Sequence, residues 1–220
     1  MIAQELISDA IPPARTSDTI QKVYDRMREF RVSHLPIVNN NEFLGLISED
    51  DFVEAPDFEF PIGGLSLSLI NPFVYADQHI YDVIRQFSEL KLTVVPVLDQ
   101  KRTYLGLVSI NSMVEHMANI TSVKEQGAIL VLEIGNRENS MSHIAQIIES
   151  ENVQILSSYI KHFTDSTRME LTLKLNRTDV AGIVASLLRY DYTVKATFSD
   201  QRSDDDSQDR FDSFMNYLNV

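Results

Sequence analysis

The chain has 220 residues, of which 44% are hydrophobic and 23% charged, and this composition is typical of a globular protein that buries a core. The absence of cysteine excludes disulfides, thiolate metal sites and cysteine nucleophiles. A formal net charge of −13 argues against nucleic-acid binding, which requires a basic face. No stretch approaches the roughly 20 apolar residues that span a membrane, and the N-terminus lacks the pattern of a signal peptide. We therefore expect a cytoplasmic protein.

The first half of the chain is an internal repeat with a period of about 60 residues. The recurring positions are Pro12 and Pro72, Ile20 and Ile80, Val23 and Val83, Pro36 and Pro96, and Gly45 and Gly106. A unit of about 60 residues is marginal as an independent domain because it buries too little surface. We therefore expect the two copies, residues 1–61 and 62–120, to pack against each other.

Each copy predicts the element order α-β-β-α. A turn residue, Ser17 or Asp77, is the candidate N-cap of a first helix whose apolar residues recur at helical spacing. Two short apolar strands follow, with the sequences LPIV and FLGLIS in the first copy and VVPVL and YLGLVS in the second. A short helix then starts at Ser48 or Ser109.

An apolar strand with an internal proline, a polar turn and the run Gly-Leu-Ile-Ser-Glu-Asp-Asp (residues 45–51) resemble the CBS domain. CBS domains occur as tandem pairs, and the resemblance covers about residues 1–120. It implies one pseudo-twofold module whose cleft binds adenine nucleotides or adenosyl compounds. It also implies that the module regulates another activity and is not itself an enzyme.

The resemblance places the adenosine ligand against the first copy. An aspartate such as Asp51 accepts charge-assisted hydrogen bonds from two ribose hydroxyls, and the hydroxyl of Ser48 with N–H groups at a helix start suits a phosphate. The same Ser-x-x-Asp pattern is also a capping box that needs no ligand, and this alternative stays open. The candidate site residues are Arg15, His34, Gly45, Ile47, Ser48 and Asp51.

The second copy departs from the pattern because Ser112 stands where the aspartate is expected. We therefore expect at most one good adenosine site. Residues 1–120 carry 9 basic and 17 acidic residues, a net charge of −8 that disfavours a bare triphosphate. The candidate ligands are AMP, ADP, ATP and S-adenosylmethionine.

Residues 126–198 predict the order β-α-β-β-α-β, which is typical of a ferredoxin-like domain. The predicted elements are a strand at 128–134, a helix capped by Ser140, a strand at 153–163, a strand of alternating apolar residues at 169–175, a helix capped by Thr178 and a strand at 192–198. The alternation predicts one buried and one solvent-exposed face for the 169–175 strand. The fold class of the whole chain is therefore α+β.

The runs Asn-Arg-Glu-Asn (136–139) and Asn-Val-Gln-Ile (152–155) resemble the first loop and helix end of the ACT domain. ACT domains that bind amino acids have a glycine where this chain has Asn139, because glycine lets the backbone approach the ligand. The resemblance therefore favours pairing with a second ACT sheet over amino-acid binding. Two CBS copies followed by one ACT domain resemble the acetoin-utilisation accessory proteins.

Residues 199–220 divide into two parts. Residues 199–210 contain no aliphatic or aromatic side chain and predict an acidic, solvated linker. In the last ten residues, the positions i, i+3, i+4 and i+7 of one helical face are Phe211, Phe214, Met215 and Leu218. Because ten residues do not form a stable helix alone, we expect this segment to dock on the protein's own surface or on a dimer mate.

Nothing in the sequence indicates an enzyme, a cofactor or a metal site. The chain has no dinucleotide, Walker A or nucleophile-elbow motif, and its five histidines lack metal-ligand spacing. Two functions stay open. The first is a regulatory homodimer that senses an adenosine compound, with the ACT-like domain as dimeriser or second sensor. The second is a ligand-free scaffold dimer that regulates a partner by protein contacts.

Overall fold

The structure is a computed structural model that describes residues 1–8, 10–53, 57–65, 70–135, 140–164 and 166–199. The chain divides into two compact units, Met1–His116 and Met117–Val220. The first unit holds both repeats except residues 117–120 of the second, and the second unit holds the predicted βαββαβ segment. The ACT-like loop at 136–139 and the segment 200–220 lie outside the described residues.

Both repeats contain the predicted helix followed by two strands, although an additional short strand precedes the first helix of the second copy. The first copy contains α1 (Ile20–Phe30), β1 (His34–Asn39), β2 (Glu42–Ser48) and a 3₁₀ turn (Glu49–Phe52). The second contains β3 (Val74–Tyr75), α2 (Ile80–Leu90), β4 (Val94–Leu98), β5 (Tyr104–Ser109) and α3 (Ile110–Ile120). In the described residues, the two copies therefore differ after the second strand, where the first has a four-residue 3₁₀ turn and the second has the eleven-residue α3.

Each copy is built on an antiparallel hairpin with a bulge at its glycine. The β1–β2 pairing shifts register next to Gly45, and the β4–β5 pairing shifts next to Gly106. The φ angles at these residues are +151° and +155°, a region that side-chain-bearing residues rarely adopt. A Cβ atom at Gly106 would also lie 2.5 Å from Cγ2 of Ile7. The recurring glycines thus set the shape of both hairpins.

The predicted N-caps of the first helices are wrong by two residues. The side chain of Thr19 caps α1 by accepting a hydrogen bond from the Lys22 N–H, and His79 caps α2. Ser17 is exposed, whereas Asp77 accepts hydrogen bonds from Gln100 instead. The apolar faces of the helices are correct, since the buried residues are Ile20, Val23 and Met27 in α1 and Ile80, Val83 and Phe87 in α2.

The two copies exchange their leading segments. The start of the chain packs on the second copy, where Ser8 N–H donates to the Leu107 carbonyl at 2.9 Å. The segment leading to the second copy packs on the first, where Leu46 N–H donates to the Ile70 carbonyl at 2.9 Å. These bonds cross the expected boundary between residues 61 and 62, so each copy is completed by residues adjacent to the other.

The second unit has the predicted ferredoxin-like topology. Its elements are β6 (Ile129–Gly135), α4 (Met141–Ser150), β7 (Ile155–His162), β8 (Arg168–Leu175), α5 (Ala181–Arg189) and β9 (Thr193–Phe198). The four strands form one antiparallel sheet in the order β7-β8-β6-β9. Both helices contribute to its core, with Ile144, Ile147 and Ile148 from α4 and Ile183 and Leu187 from α5.

Three details of this unit differ from prediction. Thr178 does not cap α5, since Val180 precedes the helix and Asp179 Oδ1 accepts from the Ala181 N–H. Ser140 stands at the N-cap position of α4, but its side chain makes no capping bond. The second face of β8 is not solvent-exposed, because Glu170 and Lys174 are only 7% and 8% exposed.

None of the helices in the described ranges is both long enough and apolar enough to cross a membrane.

Candidate functional site

The two copies meet where β1 and β4 begin. The hydroxyl of Thr93 accepts hydrogen bonds from the backbone N–H groups of Ser33 at 2.9 Å and His34 at 3.1 Å. The Thr93 N–H in turn donates to Nδ1 of His34 at 3.3 Å, and the Thr93 hydroxyl lies 3.1 Å from the same nitrogen. Because Nδ1 accepts here, the imidazole proton resides on Nε2.

Ser33 and Thr93 occupy equivalent positions of the repeat, 60 residues apart. Each also accepts a hydrogen bond at its carbonyl from the first residue after the second strand of its own copy. Glu49 N–H donates to Ser33 at 3.1 Å, and Ile110 N–H donates to Thr93 at 3.0 Å. The junction between the copies is therefore hydrogen-bonded directly to the start of the 3₁₀ turn in the first copy and to the start of α3 in the second.

In the first copy, the motif closes on itself as a helix cap. Asp51 Oδ2 accepts from the Ser48 N–H at 2.7 Å and from the Ser48 hydroxyl at 3.1 Å. Ser48 pairs with His34 across the β1–β2 hairpin. The structure thus brings His34, Ser48 and Asp51 to one end of the hairpin, beside Thr93.

The second copy builds the same turn with hydroxyls alone. Ser109 N–H donates to the Ser112 hydroxyl at 3.1 Å, and Ser112 N–H donates to the Ser109 hydroxyl at 3.1 Å. The Ser112 hydroxyl also donates to the Ser109 carbonyl at 2.9 Å. The equivalent place in the second copy therefore carries no charge.

His34 experiences two opposing influences. Burial is the larger one and lowers the pKa of His34 below its usual 6.5, whereas the nearby carboxylates of Asp50, Asp51 and Glu49 act to raise it. The net effect is a lowered pKa, so the imidazole is neutral at pH 7. This state agrees with the hydrogen bond that Nδ1 accepts from Thr93.

Comparison with known proteins places the first unit in a family. Residues 3–57 and 69–119 match the family model of the CBS domain. The first unit is a tandem CBS domain pair.

Several solved structures are similar to a little over half of the chain. One is a CBS domain pair/ACT domain protein from Thermotoga maritima, with 21% identity and a TM-score of 0.48 over 54% of this chain and 98% of that chain. CBSX2 in complex with AMP has 17% identity and a TM-score of 0.47 over 54% and 97%. The cytosolic domain of the Mg²⁺ channel MgtE in complex with ATP has 19% identity and a TM-score of 0.42 over 52% and 48%.

Arg15, another candidate, lies at the opposite end of the hairpin of the CBS pair. It lines a cleft of about 570 Å³ together with Thr16, Asn39 and Tyr104. Asn39 pairs with Glu42 beside the hairpin turn, whereas His34 pairs with Ser48. Five residues of strand separate the two ends by about 16 Å, so the structure does not bring Arg15 to Asp51.

The remaining candidates, Gly45 and Ile47, form the strand that leads to Ser48. Ile47 is fully buried opposite Leu35, and Gly45 forms the bulge. Sequence reasoning missed Thr93, although the repeat carried a signal for it. Both copies have a hydroxyl residue directly before the first long strand, at Ser33 and Thr93.

The part of the chain that the structure describes contains no group of three or more histidine, aspartate or glutamate side chains that could hold a metal ion.

Proposed function

We propose that the chain is a non-catalytic regulatory protein whose CBS pair senses an adenosine compound at Ser48 and Asp51. The observation that supports this most is the convergence of His34, Ser48 and Asp51 on the junction with Thr93. A ligand bound at this end of the hairpin would lie against both copies. Binding would therefore change the free energy of their arrangement, which is what a sensor requires.

Each residue has a distinct part in this proposal. The Asp51 carboxylate, half-buried in the structure, accepts the ribose hydroxyls in place of the Ser48 hydroxyl. The Ser48 hydroxyl is then released to contact the ligand. His34 is neutral and donates only through Nε2, so it contributes a hydrogen bond to a phosphate but no charge.

The charge around the site selects among the ligands. Glu49, Asp50 and Asp51 are consecutive carboxylates at the strand end, and all three act on His34. A triphosphate there would face unscreened repulsion. The proposal therefore ranks AMP and S-adenosylmethionine ahead of ADP, and ADP ahead of ATP without magnesium.

The second unit completes the proposal. Its ferredoxin-like sheet has the topology expected of an ACT-like domain. We propose that it makes the chain a homodimer or acts as a second sensor, and that the protein works in the cytoplasm. A micromolar solution of the full chain should then sediment at about twice its 25.1 kDa mass. A monomer under those conditions would contradict this part of the proposal.

A specific observation favours the scaffold alternative. The hydrogen bonds from Ser48 already explain Asp51 as a helix cap, and a cap needs no ligand. In that case the chain is a constitutive dimer that acts by protein contacts alone.

Calorimetry separates the two functions. AMP, ADP, ATP and S-adenosylmethionine are titrated at up to millimolar concentration into the wild-type chain, into Asp51→Ala and into Asp50→Ala. Asp50→Ala is the matched control, because Asp50 is an exposed neighbouring carboxylate without a bond to Ser48. The sensor proposal expects one site per chain that is lost only in Asp51→Ala. No heat with any of the four compounds would support the scaffold.

A further inference from the structure

Helix α5 is apolar on two faces. One face, including Ile183 and Leu187, lies in the core of the second unit. The other face carries the exposed residues Ala181, Ala185 and Leu188, the last of them 55% exposed, and Val184 at its edge packs partly against the core. A helix with apolar residues on both sides normally has a partner on each side, so this second face indicates a docking surface.

The second face of α5 lines a groove of about 470 Å³ with the end of β9. Its helical wall is formed by Ala181, Val184, Ala185 and Leu188, and its strand wall by Thr197 and Ser199. β9 is an edge strand of the sheet, and Phe198 at its end is 54% exposed. The groove therefore lies beside an open sheet edge, and its lining combines the apolar side chains of α5 with the polar residues Thr178 and Asp179.

The sequence following the groove has a matching pattern. The helical wall has the spacing i, i+3, i+4, i+7, formed by Ala181, Val184, Ala185 and Leu188. The last ten residues have apolar side chains at the same four spacings, at Phe211, Phe214, Met215 and Leu218. We propose that the segment 211–220 docks as a short amphipathic helix in the α5–β9 groove of its own chain.

The tether, residues 200–210, is long enough for residues 211–220 to dock either parallel or antiparallel to α5. Eleven residues, 200–210, separate Ser199 in the groove wall from Phe211. Such a tether reaches at most about 36–40 Å, whereas the eight-residue stripe of α5 is only about 11 Å long. A short flexible tether also gives an effective concentration of the order of millimolar. A ten-residue helix too weak to form alone can therefore be held by its groove.

The sizes of the side chains are complementary. The helical wall combines the small side chains of Ala181 and Ala185 with the larger ones of Val184 and Leu188, so it offers space beside its alanines. Phenylalanine rings at 211 and 214 fit such spaces as ridges fit grooves between packed helices. The linker contains no apolar side chain, so it has no reason to compete for the same surface.

Cross-linking tests the proposal directly because the chain has no cysteine of its own. The double variant Ala185→Cys/Met215→Cys is treated with a short bismaleimide and examined by denaturing electrophoresis and peptide mapping. The expected product is an intrachain link at monomer mass, formed at least 10-fold faster than in the control pair Gln146→Cys/Met215→Cys. Gln146 is exposed on α4, outside the groove.

A third substitution checks that the groove causes the link. Leu188→Glu, introduced into the Ala185→Cys/Met215→Cys background, changes an exposed side chain and is expected to slow the intrachain link at least 10-fold. A link that forms only between chains would overturn the proposal by making a second copy the occupant. Rates equal to those of the control pair, or unaffected by Leu188→Glu, would overturn it as well.

Discussion

The two CBS copies are most informative where they differ. Both have the hairpin bulge, and both tie the residue before the first strand of the hairpin to the residue after its second strand. At the start of the following helix, however, the first copy uses the Asp51 carboxylate and the second uses the Ser112 hydroxyl. Because a hydroxyl is sufficient to hold this turn, the carboxylate is not needed for capping alone. The comparison therefore supports a ligand role for Asp51.

The largest expected effect comes from removing the Asp51 carboxylate. Asp51→Ala should weaken AMP binding roughly 10- to 150-fold, because a hydrogen bond to a charged group contributes about 1.5–3 kcal/mol. The matched change in the second copy, Ser112→Ala, should leave affinity unchanged. Calorimetry measures both.

The same two variants also report the capping role. Each removes one side-chain cap, so each should lower the free energy of unfolding without ligand by about 0.5–2 kcal/mol. Equal losses of AMP affinity in Asp51→Ala and Ser112→Ala would show that affinity follows the fold of the turn and not the charge at 51.

The next largest expected effect is a loss of unfolding free energy when the Thr93 hydroxyl is removed from the junction between the copies. Thr93→Val removes the hydroxyl that accepts from the backbone of Ser33 and His34. Leaving these partly buried donors without an acceptor should cost about 1–3 kcal/mol of unfolding free energy. Urea denaturation of the wild-type chain and of Thr93→Val measures this loss of unfolding free energy.

Ser33→Ala is the control for the equivalent position, because Ser33 enters the junction through its backbone N–H and carbonyl. It should change stability by less than about 0.5 kcal/mol. If Ser33→Ala were as destabilising as Thr93→Val, the account of the junction would be wrong.

The smallest expected effect is a pH dependence of the unfolding free energy that arises from His34 in the first copy. Burial lowers the pKa of His34 in the folded state below 6.5, despite Glu49, Asp50 and Asp51. The unfolded chain therefore binds more protons, and stability should fall as the pH drops below about 6.5. The second copy has Val94 at the equivalent position and contributes nothing to this slope.

Unfolding free energies at several pH values between 7.5 and 5.5 test this expectation. His34→Gln should flatten the slope, which cannot exceed about 1.4 kcal/mol per pH unit for one group. A slope that persists in His34→Gln would assign the titration to another group.

The elements and the repeat could be predicted because their signals are local and periodic. Apolar spacing gave the buried faces of α1 and α2, and the two glycines marked equivalent bulges. One of the predicted caps failed because a competing side-chain partner lies nearby in space. Asp77 binds Gln100, which is 23 residues away.

The arrangement of the site depends on the path of the chain through space. The segment exchange between the copies and the role of Thr93 arise from contacts between residues 24 to 99 positions apart, which no local pattern encodes. Arg15 precedes α1 closely in sequence but lies beside the hairpin turn, away from Asp51. The prediction of a solvent-exposed face on β8 was wrong for a similar reason. Lys174 donates a hydrogen bond to the Gly127 carbonyl, and Glu170 forms an ion pair with Lys195.

An NMR titration of AMP into the ¹⁵N-labelled full chain is the most direct test of an adenosine site in the first copy, because it reports both copies in one sample. Binding at Asp51 should give saturable shifts at the amides of residues 48–51 and of Ser33 and His34, with one dissociation constant and one equivalent of AMP. The amides of residues 110–112, in the Ser112 turn, should shift much less. Equal saturable shifts at both turns, or none at either, would contradict an adenosine site in the first copy alone.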